Sequence, residues 1–398
     1  MHPLIVIGAG LAGWTTVREF RKLDTTTPVV VLTADSGDFY AKPSLSNAFA
    51  QRRSPEQLVT TAGEQLASSL HVRLLAHTRV TALDLIAHTL ALDVLGESQT
   101  LQYSQLVLAT GAQPIRVPLQ GDAADRVRTI NSLEDFAMFH LAISPRGISV
   151  CSSESDSKSV VIMGAGLIGC EFANDLLHAG HQVHVVDPAD RPLAALLPAA
   201  ASEELRLALA ALGGHWHLGA TVQSVDRQTG QAGLRVGLSS GAHLQADAVL
   251  SAIGLRADTQ LAAAAGLHCE RGIVTDAFLQ TSAPGVYALG DCAQYASAGQ
   301  RTLAFVMPIM HAARALAATL AGTPTVLGFP LMPVSVKTPA LPIVVASPQP
   351  GLNGDWQADA APATGVWRFV DSAGAQRGFV LAGSPTFRRM ELARSTVQ

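Results

Sequence analysis

A chain of 398 residues exceeds what one ordinary hydrophobic core organises, so two or three domains are expected. With 48% hydrophobic residues and a formal net charge of -4, the composition excludes a disordered chain and a nucleic-acid binder. No apolar run reaches the roughly 18 residues of a bilayer span, since Pro198 and then Glu203 and Glu204 interrupt the Ala-rich stretch near Leu193.

The first expected element is a buried strand, Leu4 to Ile7, starting too early to follow a secretory signal, which points to the cytoplasm. It runs into Gly8-Ala9-Gly10-Leu11-Ala12-Gly13 and then a helix-capable segment. A G-x-G-x-x-G between strand and helix suits a dinucleotide. The first glycine permits a tight turn, the second lets backbone approach a pyrophosphate, and the third lets helix and strand pack closely. Val29 to Leu32 reads as the next strand. Thr33 stands where a ribose-binding acid is expected and Asp35 comes two residues later, so Asp35 reads either as a ribose ligand or as a solvated turn aspartate.

Leu106 to Ala112 is a strand ending in Ala109-Thr110-Gly111. Residues 143–159 are polar and Ser-rich and read as an exposed loop. Val160 to Met163 then leads into a second fingerprint, Gly164-Ala165-Gly166-Leu167-Ile168-Gly169. Its helix is expected to end near Gly180, and the strand Gln182 to Val186 delivers Asp187, 23 residues after Gly164, where a ribose carboxylate belongs. An aspartate accepts from ribose hydroxyls and repels a 2′-phosphate. With no arginine before Arg191, NADH is favoured over NADPH. Asp247 to Arg256, including Gly254, repeats the strand-to-small-residue form, as does Val286 to Ala293 with Gly290-Asp291. Each block alone reads equally as an ordinary strand-to-turn transition. Beyond Gly322-Thr323-Pro324, strand-like runs at Val334 to Lys337, Ile343 to Ala346, Val366 to Val370 and Gly378 to Leu381 indicate a small α+β domain.

Cys151, Cys170, Cys269 and Cys292 form no close pair, which excludes a zinc ribbon and an adjacent redox disulfide; they read as small buried hydrophobes in a reducing compartment. His215 and His217 share a strand face without a third ligand nearby, so no metal site is expected. His311 reads as structural.

Taken in order, the two fingerprints, Ala109-Thr110-Gly111, the acid Asp187 and Gly290-Asp291 resemble the two-dinucleotide-binding flavoprotein reductases of the pyridine nucleotide-disulfide oxidoreductase superfamily. The resemblance spans nearly the whole chain. It implies an α/β fold with two Rossmann-like, glutathione-reductase-like domains and a small C-terminal α+β domain. The expected boundaries are 1–112 with 248–324 for FAD, 113–247 for NADH, and 325–398 for an acceptor-facing domain. Gly8, Gly10, Ala12 and Gly13 would hold the FAD pyrophosphate, with Asp35 at its ribose. Asp291 would bond the ribityl chain, Val80 would lie near the adenine, and Lys42, Pro43, Ala109, Thr110, Gly111 and Val306 would lie near the flavin. NADH would fall to Gly164, Gly166, Ile168, Gly169, Glu171, Asp187 and Gly254.

Within the superfamily, Tyr40-Ala41-Lys42-Pro43-Ser44-Leu45-Ser46-Asn47 lacks the cysteines of the disulfide reductases and of the NADH oxidases. Its K-P-x-L-S pattern resembles reductases for rubredoxin and ferredoxin. Asn47, where many ferredoxin reductases carry lysine, and Met332 to Pro339 bring it closer to the rubredoxin–NAD reductase branch. That implies hydride transfer from NADH to FAD and single electrons to two rubredoxins, feeding alkane hydroxylation or oxygen detoxification, by a monomer or weak dimer. Catalytic roles fall to Lys42 and Glu171, as an ion pair beside the flavin, and to Lys337 on the acceptor side. The six cations in 325–398 (Lys337, Arg368, Arg377, Arg388, Arg389, Arg394) exceed its four anions by two, leaving -6 on the remainder, a polarity that would steer an acidic partner. The alternatives are a ferredoxin reductase serving an oxygenase or a P450, and a non-catalytic flavin and NADH sensor.

Overall fold

The computed structural model describes residues 2–94, 96–144, 157–228, 233–359 and 365–397. Cys151 and most of the polar loop, residues 145–156, lie outside them. The described chain divides into two compact units: residues 1–42, 59–113 and 255–332, and residues 43–58, 114–254 and 333–398.

The first unit is built on a parallel sheet of five strands in the order Val286–Ala288, Gln105–Leu108, Leu4–Ile7, Val29–Leu32 and Arg73–Leu75. Leu4, Ile5, Val6, Val31, Leu32, Leu106 and Val107 are all buried, because a parallel sheet covered on both faces needs unbroken apolar runs. Helices Leu11–Arg21 and Val306–Leu320 pack together beside it, with Trp14 and Phe20 fully buried. An antiparallel meander, Arg79–Asp84, Thr89–Val94 and Glu97–Gln102, belongs to the same unit; its largely exposed strands carried too weak a pattern for the sequence to announce them.

The second unit repeats the plan with four parallel strands, His215–Leu218, Gln182–Asp187, Ser159–Met163 and Ala248–Ser251, in that order. The helix after its fingerprint, Leu167–His178, ends as expected at Gly180. Gly180 takes φ +88°, its N–H bonds Leu177 C=O, and the N–H of His181 bonds Leu176 C=O, closing the last turn. A second antiparallel meander, Val222–Arg227, Leu234–Leu238 and His243–Ala246, lies in this unit. So does an antiparallel sheet of five strands, Val334–Val336, Ile343–Ala346, Gln376–Ala382, Val366–Asp371 and Gly354–Ala358. The strand Gly354–Ala358 was not anticipated: Gly354, Asp355 and Gln357 are poor strand formers, and pairing with Val366–Asp371 decides it.

Candidate functional site

In the first unit, the carboxyl ends of three adjacent parallel strands bring Gly8, Ala109 to Gly111 and Gly290-Asp291 to one edge of the sheet. Ligands of open α/β sheets bind at such an edge. Gly8 has φ +109°, and a Cβ there would stand 2.2 Å from the carbonyl oxygen of Ala109. A Cβ on Gly13 would stand 1.9 Å from the Gly8 carbonyl, whereas one on Gly10 would meet nothing within 4 Å. The outer glycines are therefore required by packing, and the middle one leaves open space. The helix Leu11–Arg21 starts on Gly10 with no side-chain cap and no acid in its first turn, and its first internal bond is Trp14 N–H to Gly10 C=O. Its leading amides and dipole suit a pyrophosphate.

Around that cradle, Ala12 packs so tightly on Gly290 that a Cβ on Gly290 would stand 2.8 Å from its own. Thr110 Oγ1 donates to Asp258 C=O at 2.8 Å, and Gly111 takes φ +76° with open space above it. Burial pushes the Asp291 carboxyl above the usual carboxylate range, and the Lys42 ammonium pulls it back. A carboxylate so placed fits a polyol hydroxyl. Asp35 is exposed and closes a turn, its Oδ1 accepting from Thr33 Oγ1 at 2.5 Å and Gly37 N–H at 2.9 Å. Val80 is half-buried on the meander, and Val306 is 40% exposed at the start of its helix.

The second unit reproduces the cradle. Gly164 has φ +105° with a Cβ position 2.6 Å from the Ala252 carbonyl oxygen, that of Gly169 lies 2.0 Å from the Gly164 carbonyl, and that of Gly166 meets nothing within 4 Å. Ile168 sits half-buried in the first turn. Gly254, at φ +120°, accepts from Ile115 N–H at 3.0 Å. Asp187 ends the second strand as expected, and its oxygens accept from Ala165 N–H at 2.6 Å and Ala189 N–H at 2.7 Å. Each oxygen keeps a second lone pair for a ribose hydroxyl. Arg191, the nearest cation along the chain, is paired with Asp190 at 2.9 Å.

Glu171, in the second turn of this helix, is 3% exposed. Its Oε2 accepts from the Lys337 ammonium and from Ser46 Oγ at 2.8 Å, and its Oε1 accepts from Lys337 N–H at 3.0 Å. Lys337 Nζ also donates to Ser46 Oγ at 3.0 Å. The sequence set Lys337 apart from Glu171; in the structure Lys337 is bonded to Glu171, and the charge of Lys42 acts on Asp291. Lys42 and Pro43 open a 3₁₀ segment, Lys42–Asn47, and are exposed.

Two further residues of this helix escaped the sequence reading. Asn174 Oδ1 accepts from Ala340 N–H at 3.1 Å, and Asp175 accepts from Phe49 N–H at 3.0 Å and Ala50 N–H at 2.9 Å. Both are buried. The signal was available: Glu171, Asn174 and Asp175 fall at i, i+3 and i+4 on a helix whose other residues are largely apolar. The leading turn faces a ligand cradle while the next two turns fasten residues 46–50 and 337–340.

Residues 2–317 match the family of pyridine nucleotide-disulphide oxidoreductases. The chain belongs to that family. Membership makes it a pyridine-nucleotide-dependent flavoprotein oxidoreductase with FAD and NADH as cofactors, and both cradles fit those groups. A second model, the rubredoxin binding C-terminal domain, matches residues 327–396. Among its relatives in this family, the rubredoxin-NAD(+) reductase of Acinetobacter baylyi is 42% identical over 384 residues, covering 96% of this chain and 95% of the relative. That of Alcanivorax borkumensis is 42% identical, covering 98% of each. The nitric oxide reductase FlRd-NAD(+) reductase of Aeromonas hydrophila is 38% identical, covering 99% and 96%. The fold is shared with a putidaredoxin reductase crystallised with putidaredoxin, at a TM-score of 0.85 and 23% identity over 99% of this chain and 93% of that one. No helix among the described residues is long and apolar enough to cross a membrane.

Proposed function

We propose that this chain is an NADH:rubredoxin reductase, taking a hydride from NADH and delivering single electrons to a rubredoxin. The observation that carries the reading is the match of residues 327–396 to a rubredoxin binding domain, in a chain whose Lys337 is bonded to the helix of the second fingerprint. When bound, FAD supplies the conversion between a two-electron donor and a one-electron acceptor. The chain supplies position and charge. Gly8, Gly10 and Gly13 with the following helix take the FAD pyrophosphate, with Ala12, Asp35, Pro43, Val80, Ala109, Thr110, Gly111 and Val306 around the rest. Asp291 accepts from the ribityl hydroxyls, and Lys42 limits the cost of its charge. Gly164, Gly166, Ile168, Gly169 and Gly254 take the pyrophosphate side of NADH, and Asp187 accepts from its ribose while repelling a 2′-phosphate. Glu171, held by Lys337 and Ser46, fixes a charged pair in a place from which water is largely excluded.

The chain works in the cytoplasm as a monomer or weak dimer. Its three described cysteines are free, as a reducing compartment allows. Anaerobic stopped-flow mixing of NADH-reduced protein with rubredoxin, ferredoxin or oxygen tests the proposal. Reoxidation by rubredoxin at least about tenfold faster than by ferredoxin is expected; equal or inverted rates would reject the acceptor.

A further inference from the structure

We propose that the C-terminal segment from Phe387 to Val397 is a docking surface for a small acidic protein, centred on Phe387 and Met390 and carrying Arg389 and Arg394. The inference rests on the reading that rubredoxin is the acceptor, and says where on this chain it is gripped.

Phe387 is 81% exposed and Met390, three residues on, 59%; Val397, at the end of the segment, is 51% exposed. Phe387 and Met390 fall three residues apart on adjoining helical turns, a spacing that puts both on one side, and large apolar side chains so exposed mark interaction sites. The segment is not loose. Leu392 and Thr396 are buried beneath it, Gln376 Nε2 donates to Leu392 C=O at 3.1 Å and to Thr396 Oγ1 at 2.6 Å, and Val397 N–H bonds Gln376 C=O at 2.9 Å. The exposed side chains are therefore presented on a base fixed to the strand Gln376–Ala382, which lowers the ordering cost of binding.

Charge selects the partner. Of the six cations in residues 325–398, four are spent internally: Lys337 on Glu171, Arg368 on Asp359 at 2.8 Å, Arg377 on Asp371 at 2.6 Å, and Arg388 on Glu391 at 2.7 Å. Arg389 and Arg394 have no ion-pair partner among the described residues and are exposed. The excess positive charge of this part of the chain is thus concentrated on the segment that carries Phe387 and Met390. An aromatic and a methionine with flanking arginines is the composition of an interface centre. A second copy of the chain would bring the same arginines against themselves, whereas an acidic partner would satisfy them.

The test compares the intact flavoprotein with Phe387→Ser/Met390→Ser and with Arg389→Glu/Arg394→Glu, using rubredoxin and, as a small acceptor needing no docking surface, ferricyanide. Both variants should raise the KM for rubredoxin by about tenfold or more, and the charge reversal should also flatten its salt dependence. The KM for NADH and the ferricyanide rate should stay at wild-type values. An unchanged rubredoxin KM in both variants would overturn the assignment while leaving the acceptor standing. So would sedimentation showing a wild-type dimer that the variants dissolve without changing that KM, since the patch then belongs to a second copy. A wild-type protein that reduces ferricyanide but not rubredoxin removes the acceptor and this surface together.

Discussion

Gly10 and Gly13 look alike in the sequence and differ in what they are for. A methyl group on Gly13 collides with the Gly8 carbonyl, so Gly13→Ala must shift the helix or the turn and should cost about 2–4 kcal/mol of stability. A methyl on Gly10 meets no protein atom within 4 Å. Gly10→Ala should therefore fold with an unfolding midpoint near that of the wild-type apoprotein, yet purify nearly colourless, because the added methyl takes the space that the proposed function assigns to the FAD pyrophosphate. Flavin content by absorbance and apoprotein melting temperature together check both halves. A Gly10→Ala protein with full flavin content would show that the pyrophosphate lies elsewhere.

At the scale of elements, the helix Leu167–His178 does two jobs along its length. Removing the ammonium in Lys337→Met leaves the buried Glu171 carboxylate with Ser46 and one amide, and should destabilise by about 3 kcal/mol. The double variant Lys337→Met/Glu171→Leu should be less damaged than the single one, because it also removes the stranded charge. Urea unfolding of both proteins decides this, and a double variant worse than the single would show that the pair stabilises beyond its desolvation cost. A second element-scale feature is the edge of the same unit's parallel sheet. There His184 stacks on His215 at 4.8 Å between ring centroids, and His184 Nδ1 lies 3.2 Å from His217 Nε2, across one strand pair. Burial, and then the neighbouring His215 and His217, push His184 down to about 4. For a base whose folded value is depressed, the folded state binds fewer protons than the unfolded one, so stability is lost as pH falls from about 6.5 toward 4. His184→Gln should flatten that decline in urea midpoints measured across the interval. A decline of equal slope in the variant would assign it to other groups.

Across the whole molecule, a net charge of -4 conceals an uneven distribution, since residues 325–398 carry two more cations than anions. Attraction of an acidic acceptor to that part of the chain should make kcat/KM for rubredoxin fall steeply as ionic strength rises, while turnover with saturating acceptor changes little. A kcat/KM that is flat from low to physiological salt would remove electrostatic steering from the account.

How much of this was legible beforehand follows from where each signal lives. Both fingerprints, the strands that feed them, the stop at Gly180 and the acid at Asp187 are local: each depends on residues within one strand, turn or helix, so their spacing along the chain is itself the structural statement. The family, the fold class and the two cofactors follow from those local signals and their order. What depended on distant segments was not readable. The lysine bonded to Glu171 is 166 residues away along the chain, and nothing near Glu171 points to Lys337. The meander strands and Gly354–Ala358 are largely exposed and held by their neighbours' hydrogen bonds, so their own side chains carry little pattern. Likewise, a count of charges finds six cations near the C-terminus, but only the folded arrangement shows that four of them face carboxylates and that, among the described residues, Arg389 and Arg394 do not. Local backbone geometry is written in adjacent residues; the pairing of buried and surface charges is decided by which segments folding brings within a few ångströms of one another.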